Sequence, residues 1–186
     1  MLEVELKYRN ADRAATLAKL LQWGAQLVQD RTDVDIYFQA PDRDLKATDE
    51  AFRLRRIGSK NYLTYKGPKQ DTETKTRNEI ELTLADGENT AHDAEMLLEA
   101  LGYKPVAMVR KKRQVYRLRR DHFEIEVNFD SVQDVGDFVE LEILTYDEEY
   151  EAAKATLLAT AAELGLTEKE TRSYLGLVLA NRKGYC

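Results

Sequence analysis

Apolar and charged residues alternate along this chain in runs too regular for loops. Leu2, Val4 and Leu6 are interleaved with Glu3, Glu5 and Lys7. A β-strand sends successive side chains to opposite faces, so the charges share one side and the aliphatic residues the other. The pattern recurs in residues 33–40, where Asp33, Asp35, Tyr37 and Gln39 alternate with Val34, Ile36, Phe38 and Ala40. It recurs in 51–57, 61–66, 75–84, 122–130 and 136–144. Residues 26–30 read as a separate short strand, and 105–120 are long enough for one bent strand or two. Gly58-Ser59 predicts a hairpin turn between 51–57 and 61–66. The period changes to that of a helix in 11–23, 89–101, 147–165 and 168–179, with Gly24 and Gly102 as stops. Asn10 or Asp12 is placed to cap the first helix. Residues 69–74 are polar and read as a loop able to gate a cavity mouth.

Strands with inserted helices predict an α+β fold, mainly antiparallel because hairpin connections dominate. Two architectures host such strands: a flat or sandwiched sheet with solvated charges, or a closed barrel with the charges inside. The helices favour the barrel, because each must cover an apolar surface and the strands offer only one. Closure also removes exposed sheet edges. The expected form is inside out, with an apolar mantle under helices and a charged lumen.

Composition narrows the chemistry. The chain has 186 residues, which suits one domain spanning 1–186, and a formal net charge of −6, which argues against general nucleic-acid binding. Cys186 is the only cysteine, and His92 and His122 are the only histidines, so a thiolate or histidine-rich metal site is not expected. No long apolar run opens the chain, so neither a signal peptide nor a membrane span is expected, and the expected location is cytoplasmic. A metal held here would be a hard cation on carboxylates.

The charged faces collect Glu3, Glu5, Asp35, Glu79, Glu81, Glu124, Glu126, Asp130, Glu140 and Glu142, with Lys7, Arg53, Arg55, Lys66, Lys75, Arg77, Lys111 and Arg113. Two unit charges about 4 Å apart interact by about 4 kcal/mol at an effective dielectric of about 20, so a lumen this charged calls for partners. Carboxylates suit Mg²⁺ or Mn²⁺, and Lys and Arg suit phosphate oxygens. Metal and polyphosphate inside a barrel is the reading these residues give.

The sequence also resembles the CYTH superfamily, the triphosphate tunnel metalloenzymes, which include CyaB-type class IV adenylyl cyclases and thiamine triphosphatases. Glu3-x-Glu5-x-Lys7 is similar to its opening signature, and Phe52-Arg53-Leu54-Arg55 to its paired-arginine strand. Further similarities follow in order: residues 63–68 around Lys66, 77–81 with Arg77, Glu79 and Glu81, 109–113 with Lys111 and Arg113, and 129–142 with Asp130, Glu140 and Glu142. Asp35-Ile36-Tyr37-Phe38 and Ser173-Tyr174-Leu175 look most like the CyaB branch. The resemblance implies an eight-stranded tunnel for a triphosphate and divalent metal. It implies Glu3, Glu5, Asp130, Glu140 and Glu142 as metal ligands and Lys7, Arg53, Arg55, Lys66, Arg77, Lys111 and Arg113 as phosphate contacts. Glu5, Lys7 and Glu142 would be the catalytic residues, with Glu79, Glu81, Asp35, Tyr37 and Tyr174 in support. Within 110–113 a bulge would turn Arg110 or Lys112 inward instead of Lys111 and Arg113.

Three functions fit: adenylyl cyclase on ATP, a triphosphatase on inorganic or organic triphosphate, and a non-catalytic polyphosphate-binding module. A nucleoside triphosphate or other triphosphate is the expected partner. A homodimer, through an apolar outer patch or the C-terminal helices, is a further expectation.

Overall fold

The computed structural model describes residues 2–9, 12–69 and 76–183. Among them are eight strands, β1 (Leu2–Arg9), β2 (Gln26–Gln39), β3 (Ala51–Ile57), β4 (Lys60–Lys66), β5 (Arg77–Thr83), β6 (Lys104–Arg120), β7 (Phe123–Val132) and β8 (Gly136–Thr145), and four helices. These are α1 (Arg13–Gln22), α2 (Glu88–Ala100), α3 (Tyr150–Leu164, after a 3-10 turn at Asp147–Glu149) and α4 (Tyr174–Lys183). The strands close in the order β1-β5-β4-β3-β2-β6-β7-β8, and every pairing is antiparallel. This is the expected α+β closed barrel. Among the described residues no helix is long and apolar enough to cross a membrane.

The inside-out polarity is clearest at β1. Val4 and Leu6 are buried in an outer core with Ile125, Val127, Leu141 and Ile143 of the neighbouring strands and with Ala153, Leu157 and Ala161 of α3. Each aliphatic side chain buried this way contributes about 1.5–3 kcal/mol. Glu3, Glu5 and Lys7 turn the other way, into the cavity. Asp12 caps α1 by accepting from the Ala15 amide at 2.9 Å; Asn10 lies outside the described residues.

Several elements depart from the expected boundaries. Residues 26–30 and 33–40 are one strand, because the ladder with β6 runs from Gln26 to Gln39 and needs only two register shifts. Residues 104–120 are likewise a single strand; Pro105 sits beside one of those shifts, where a missing N–H is tolerated. Lys75 and most of the 69–74 loop fall outside the described residues.

The helix expected over 168–179 begins only at Tyr174. Among the described residues β1 pairs with β5 at Leu2↔Asn78 and Glu3↔Arg77, and the later residues of β1 have further backbone partners. Residues 168–170 supply them in extended form: the Arg9 amide donates to Glu168 O and the Glu170 amide to Lys7 O, both at 2.8 Å. Helix α4 then does not lie on the outer mantle. Tyr174 and Leu177 pack with Tyr37, Val109, Val132 and Phe138, which share strand faces with the lumen charges. The helix therefore covers part of one tunnel mouth.

The mantle is incomplete. On α2 the apolar contacts to the barrel come from Ala91, Ala94 and Leu98, and Glu88 pairs with Arg56 at 3.0 Å; Leu97 and Leu101 are exposed. Ile80 and Leu82 on the outer face of β5 are also exposed.

Candidate active site in the tunnel

The lumen is one cavity of about 1220 Å³, reaching from Glu124 and Glu126 at one end to α4 and the 40–50 connection at the other. Strand register sets its contents. Glu5 faces Glu142 across β1 and β8, Lys7 faces Glu140, and Asp35 faces Arg55 across β2 and β3. Lys111 and Arg113 point inward, while Arg110 and Lys112 are exposed, so no bulge exchanges them.

Three of the five expected metal carboxylates gather. Oxygens of Glu5, Glu140 and Glu142 lie within 4.8 Å of one another. Burial pushes the Glu142 carboxyl well above the usual carboxylate range, and nearby Glu3, Glu140 and Glu5 add to this against the pull of Arg113. Three carboxylates brought this close, one of them held against ionisation by burial, form a donor set for a cation, and all-oxygen donors suit Mg²⁺ or Mn²⁺. The residues present therefore fit a hard divalent cation.

The other two carboxylates sit elsewhere. Glu3 accepts from Lys66 Nζ at 3.1 Å, and the same ammonium lies 2.6 Å from Glu79. Against burial, which pulls it down, Glu3, Glu79 and Glu5 hold the Lys66 ammonium above its ordinary range. Asp130 is fully buried and receives Arg113 Nε at 2.7 Å and Nη2 at 2.5 Å, the Tyr174 hydroxyl at 2.8 Å, and Lys111 at 3.5 Å. Its two oxygens are thus taken up by protein donors. Arg113 also binds Glu140 through a short contact, so this guanidinium organises acids on two strands.

The cations differ in how committed they are. Arg55 grips Asp35 with Nε at 2.7 Å and Nη2 at 2.8 Å. Arg53 reaches Asp35 only at 3.4 Å and the Tyr37 hydroxyl at 3.3 Å, and its buried Nε has no hydrogen-bond partner among the described residues. It is the arginine with most donor capacity turned to the lumen. Despite burial, Arg53, Arg55 and Lys111 hold the Asp35 carboxyl far below its usual range. Lys7 Nζ donates to the Arg172 carbonyl at 2.6 Å and lies 4.0 Å from the centre of the Tyr174 ring. Burial pushes the Lys111 ammonium down, and Arg113 and Arg55 reinforce that shift over Asp130 and Glu140.

Arg77 departs most from its expected role. Its guanidinium donates to Asp49 O at 2.7 Å, Gly67 O at 3.0 Å and Asp49 Oδ1 at 3.0 Å, so it ties two connections at the mouth. Glu81 accepts from Thr64 Oγ1 at 3.3 Å. Tyr37 and Tyr174, expected in support, hydrogen-bond to Arg53 and Asp130 within the partly covered mouth. Glu124 and Glu126 line the far mouth, where Arg117 holds Glu126 at 2.7 Å.

Sequence reasoning missed Asp33, Arg31 and Asn128. Asp33 is fully buried, with Arg31 Nε at 3.0 Å and Lys111 at 3.8 Å. Asn128 is fully buried with neither side-chain atom hydrogen-bonded among the described residues. Both lie in phase with lumen residues two positions away, Asp35 and Asp130, and that periodicity was the available signal.

The CYTH domain matches residues 1–174. A Methanocaldococcus jannaschii protein provisionally named adenylate cyclase MJ0240 is 37% identical over 142 residues, covering 76% of this chain and 77% of that one. The adenylate cyclase CyaB of Aeromonas hydrophila is 31% identical over 179 residues, 92% of this chain and 86% of that one. Among solved structures, the PH1819 protein of Pyrococcus horikoshii OT3 superposes with a TM-score of 0.84 at 35% identity, over 97% of this chain and 99% of that one. A Hippeastrum protein, described as an adenylyl cyclase candidate with a dominant triphosphatase activity, shares the fold at a TM-score of 0.66 and 16% identity, over 98% of this chain and 95% of that one. With the closed charged tunnel and a domain match over nearly its whole length, the chain belongs to the CYTH family.

Proposed function

We propose that the tunnel takes a triphosphate with Mg²⁺ or Mn²⁺ and works as a class IV adenylyl cyclase, converting ATP to cyclic AMP and pyrophosphate. The observation behind this reading is the meeting, in one lumen, of the Glu5, Glu140 and Glu142 oxygens within 4.8 Å of one another with a belt of inward cations. Those three carboxylates would hold the cation, which when bound acidifies a coordinated hydroxyl and offsets charge on phosphate oxygens. Arg53, Lys66 and Lys111, with Lys7, bind the phosphate chain, and Arg113 keeps Asp130 and Glu140 in place. In the reaction the ribose 3′ oxygen bonds to the α-phosphorus, and the bond from that phosphorus to the α,β-bridging oxygen breaks. The hydroxyl proton passes to the Glu5–Glu142 carboxylates, and pyrophosphate departs along the cationic belt. What favours a cyclase is the name carried by two relatives at 37% and 31% identity.

Triphosphate hydrolysis is the second reading, supported by the activity ascribed to the Hippeastrum protein of the same fold. The same residues would serve, with water attacking the terminal phosphorus. Incubation with ATP, tripolyphosphate and thiamine triphosphate, each with Mg²⁺ or Mn²⁺, separates the readings. Cyclic AMP with stoichiometric pyrophosphate supports the cyclase, and orthophosphate without cyclic AMP supports hydrolysis. Binding without turnover of any of the three would overturn both and leave a polyphosphate-binding module.

A further inference from the structure

The other buried asparagine among the described residues, Asn61, leaves its Oδ1 unbonded but uses its Nδ2, donating to Ser59 O at 3.3 Å, Ala85 O at 3.0 Å and Gly87 O at 2.8 Å, and so fixes a turn. Asn128 on β7 is fully buried, and neither its Oδ1 nor its Nδ2 has a hydrogen-bond partner among the described residues. Nothing in the packing calls for an amide there: its β6 neighbour in register is Val115. A valine or leucine would fill the space without leaving polar atoms idle.

Its β8 neighbour points to a role. Asn128 is in direct register with Glu140, one of the three gathered carboxylates. Side chains paired this way have Cβ atoms about 4.5–5.5 Å apart, within reach of an amide–carboxylate hydrogen bond. In this structure Glu140 is held by Arg113. To share a cation with Glu5 and Glu142, Glu140 must turn from that guanidinium, and a carboxylate on a metal ordinarily keeps a hydrogen-bond donor behind it. Asn128 is the adjacent side chain with two uncommitted N–H groups.

We propose that Asn128 is a positioning residue of the cation centre, donating from Nδ2 to Glu140 when that carboxylate turns toward a divalent cation shared with Glu5 and Glu142. The inference rests on the reading that those three carboxylates hold such a cation. It implies opposite effects on two properties: the idle amide costs stability in the cation-free protein and secures Glu140 in the loaded one.

The test uses Mn²⁺ alone, titrated calorimetrically into the full chain without substrate, together with thermal unfolding in chelator. Asn128→Val removes the donor, and Asn128→Thr has nearly the same shape but restores a hydroxyl. The expected result is Mn²⁺ binding weakened about tenfold or more in Asn128→Val. Asn128→Thr should lie much closer to wild type. In chelator the Val variant should unfold at or above the wild-type temperature. Val and Thr variants that both bind Mn²⁺ like wild type would overturn the proposal, as would variants equally weakened, since a packing role alone would do that. Wild type that binds no Mn²⁺, or Glu142→Gln binding it as well as wild type, would instead overturn the underlying reading of the three carboxylates.

Discussion

The hydroxyl of Tyr174 donates to Asp130 Oδ2 at 2.8 Å, joining the last helix to strand β7 inside the lumen. Burial pushes the phenol well above its ordinary pKa, so it stays a donor at any physiological pH. Asp130 is in turn the bidentate partner of Arg113, so the position of α4 is transmitted to the arginine that organises Glu140. Tyr174→Phe should cost about 1–2 kcal/mol in denaturant unfolding. Its apparent affinity for tripolyphosphate should fall while the fold persists. Equilibrium unfolding paired with a binding titration checks both.

Arg55 and Asp35 form a second fixed pair, bonded at 2.7 and 2.8 Å and buried on both sides. Removing one partner leaves a charge with weaker company, so Arg55→Met should destabilise by about 3–5 kcal/mol. Arg53 stands 3.4 Å from Asp35 and should keep the loss toward the lower end. Combining Arg55→Met with Asp35→Asn should lose less than the sum of the two single losses, by about 1 kcal/mol or more. A double-mutant cycle in urea reads the difference.

The raised Glu142 carboxyl gives a pH signature with a definite sign. Unfolded, the group titrates near the ordinary value of about 4.3. Between that value and the raised folded one, the folded state binds more proton than the unfolded state, so stability falls as pH increases through the window. In chelator, wild type should therefore lose melting temperature from about pH 4.5 upward. Glu142→Gln should flatten that segment. Added Mn²⁺ should raise the wild-type midpoint more as pH rises, because the cation competes with the proton on Glu142.

The seal along β1 can be tested through its backbone. Glu170→Pro deletes the amide that donates to Lys7 O at 2.8 Å. The expected cost is about 0.5–1.5 kcal/mol for the lost bond. Amide exchange at Arg9, whose N–H is bonded to Glu168 O, should accelerate more than at Val139, buried in β8.

Much of this was readable in residues 2–7. Alternation there says which side chains share a face, and only the closed barrel makes the charged face the inner one. The same rule, applied to residues 33–35 and 126–130, placed Asp33 and Asn128 on the lumen face, yet a motif-led reading passed over them because neither belongs to the signature. Period alone was silent on hydrogen-bond ownership. Arg77 is in phase with the lumen but bonded to Asp49 and Gly67, a contact set by two connections remote in sequence. Residues 168–173 carry a helix-compatible pattern, and backbone bonding to the end of β1 overrides it.

That override has a consequence for how the protein is made. The strand bearing Glu3, Glu5 and Lys7 precedes the other seven, and its Lys7 O and Arg9 N–H are bonded by residues 168–170, which follow α3. During synthesis this part of the edge stays available to other strands until the segment after α3 has emerged, and strand edges left unpaired are prone to wrong pairing. The backbone bonds at Lys7 and Arg9, and the bond from Lys7 Nζ to Arg172 O, form in the same late event. The far end of β1 and the Lys7 end of the site are thus fixed together, by a segment that follows the eight strands in the chain.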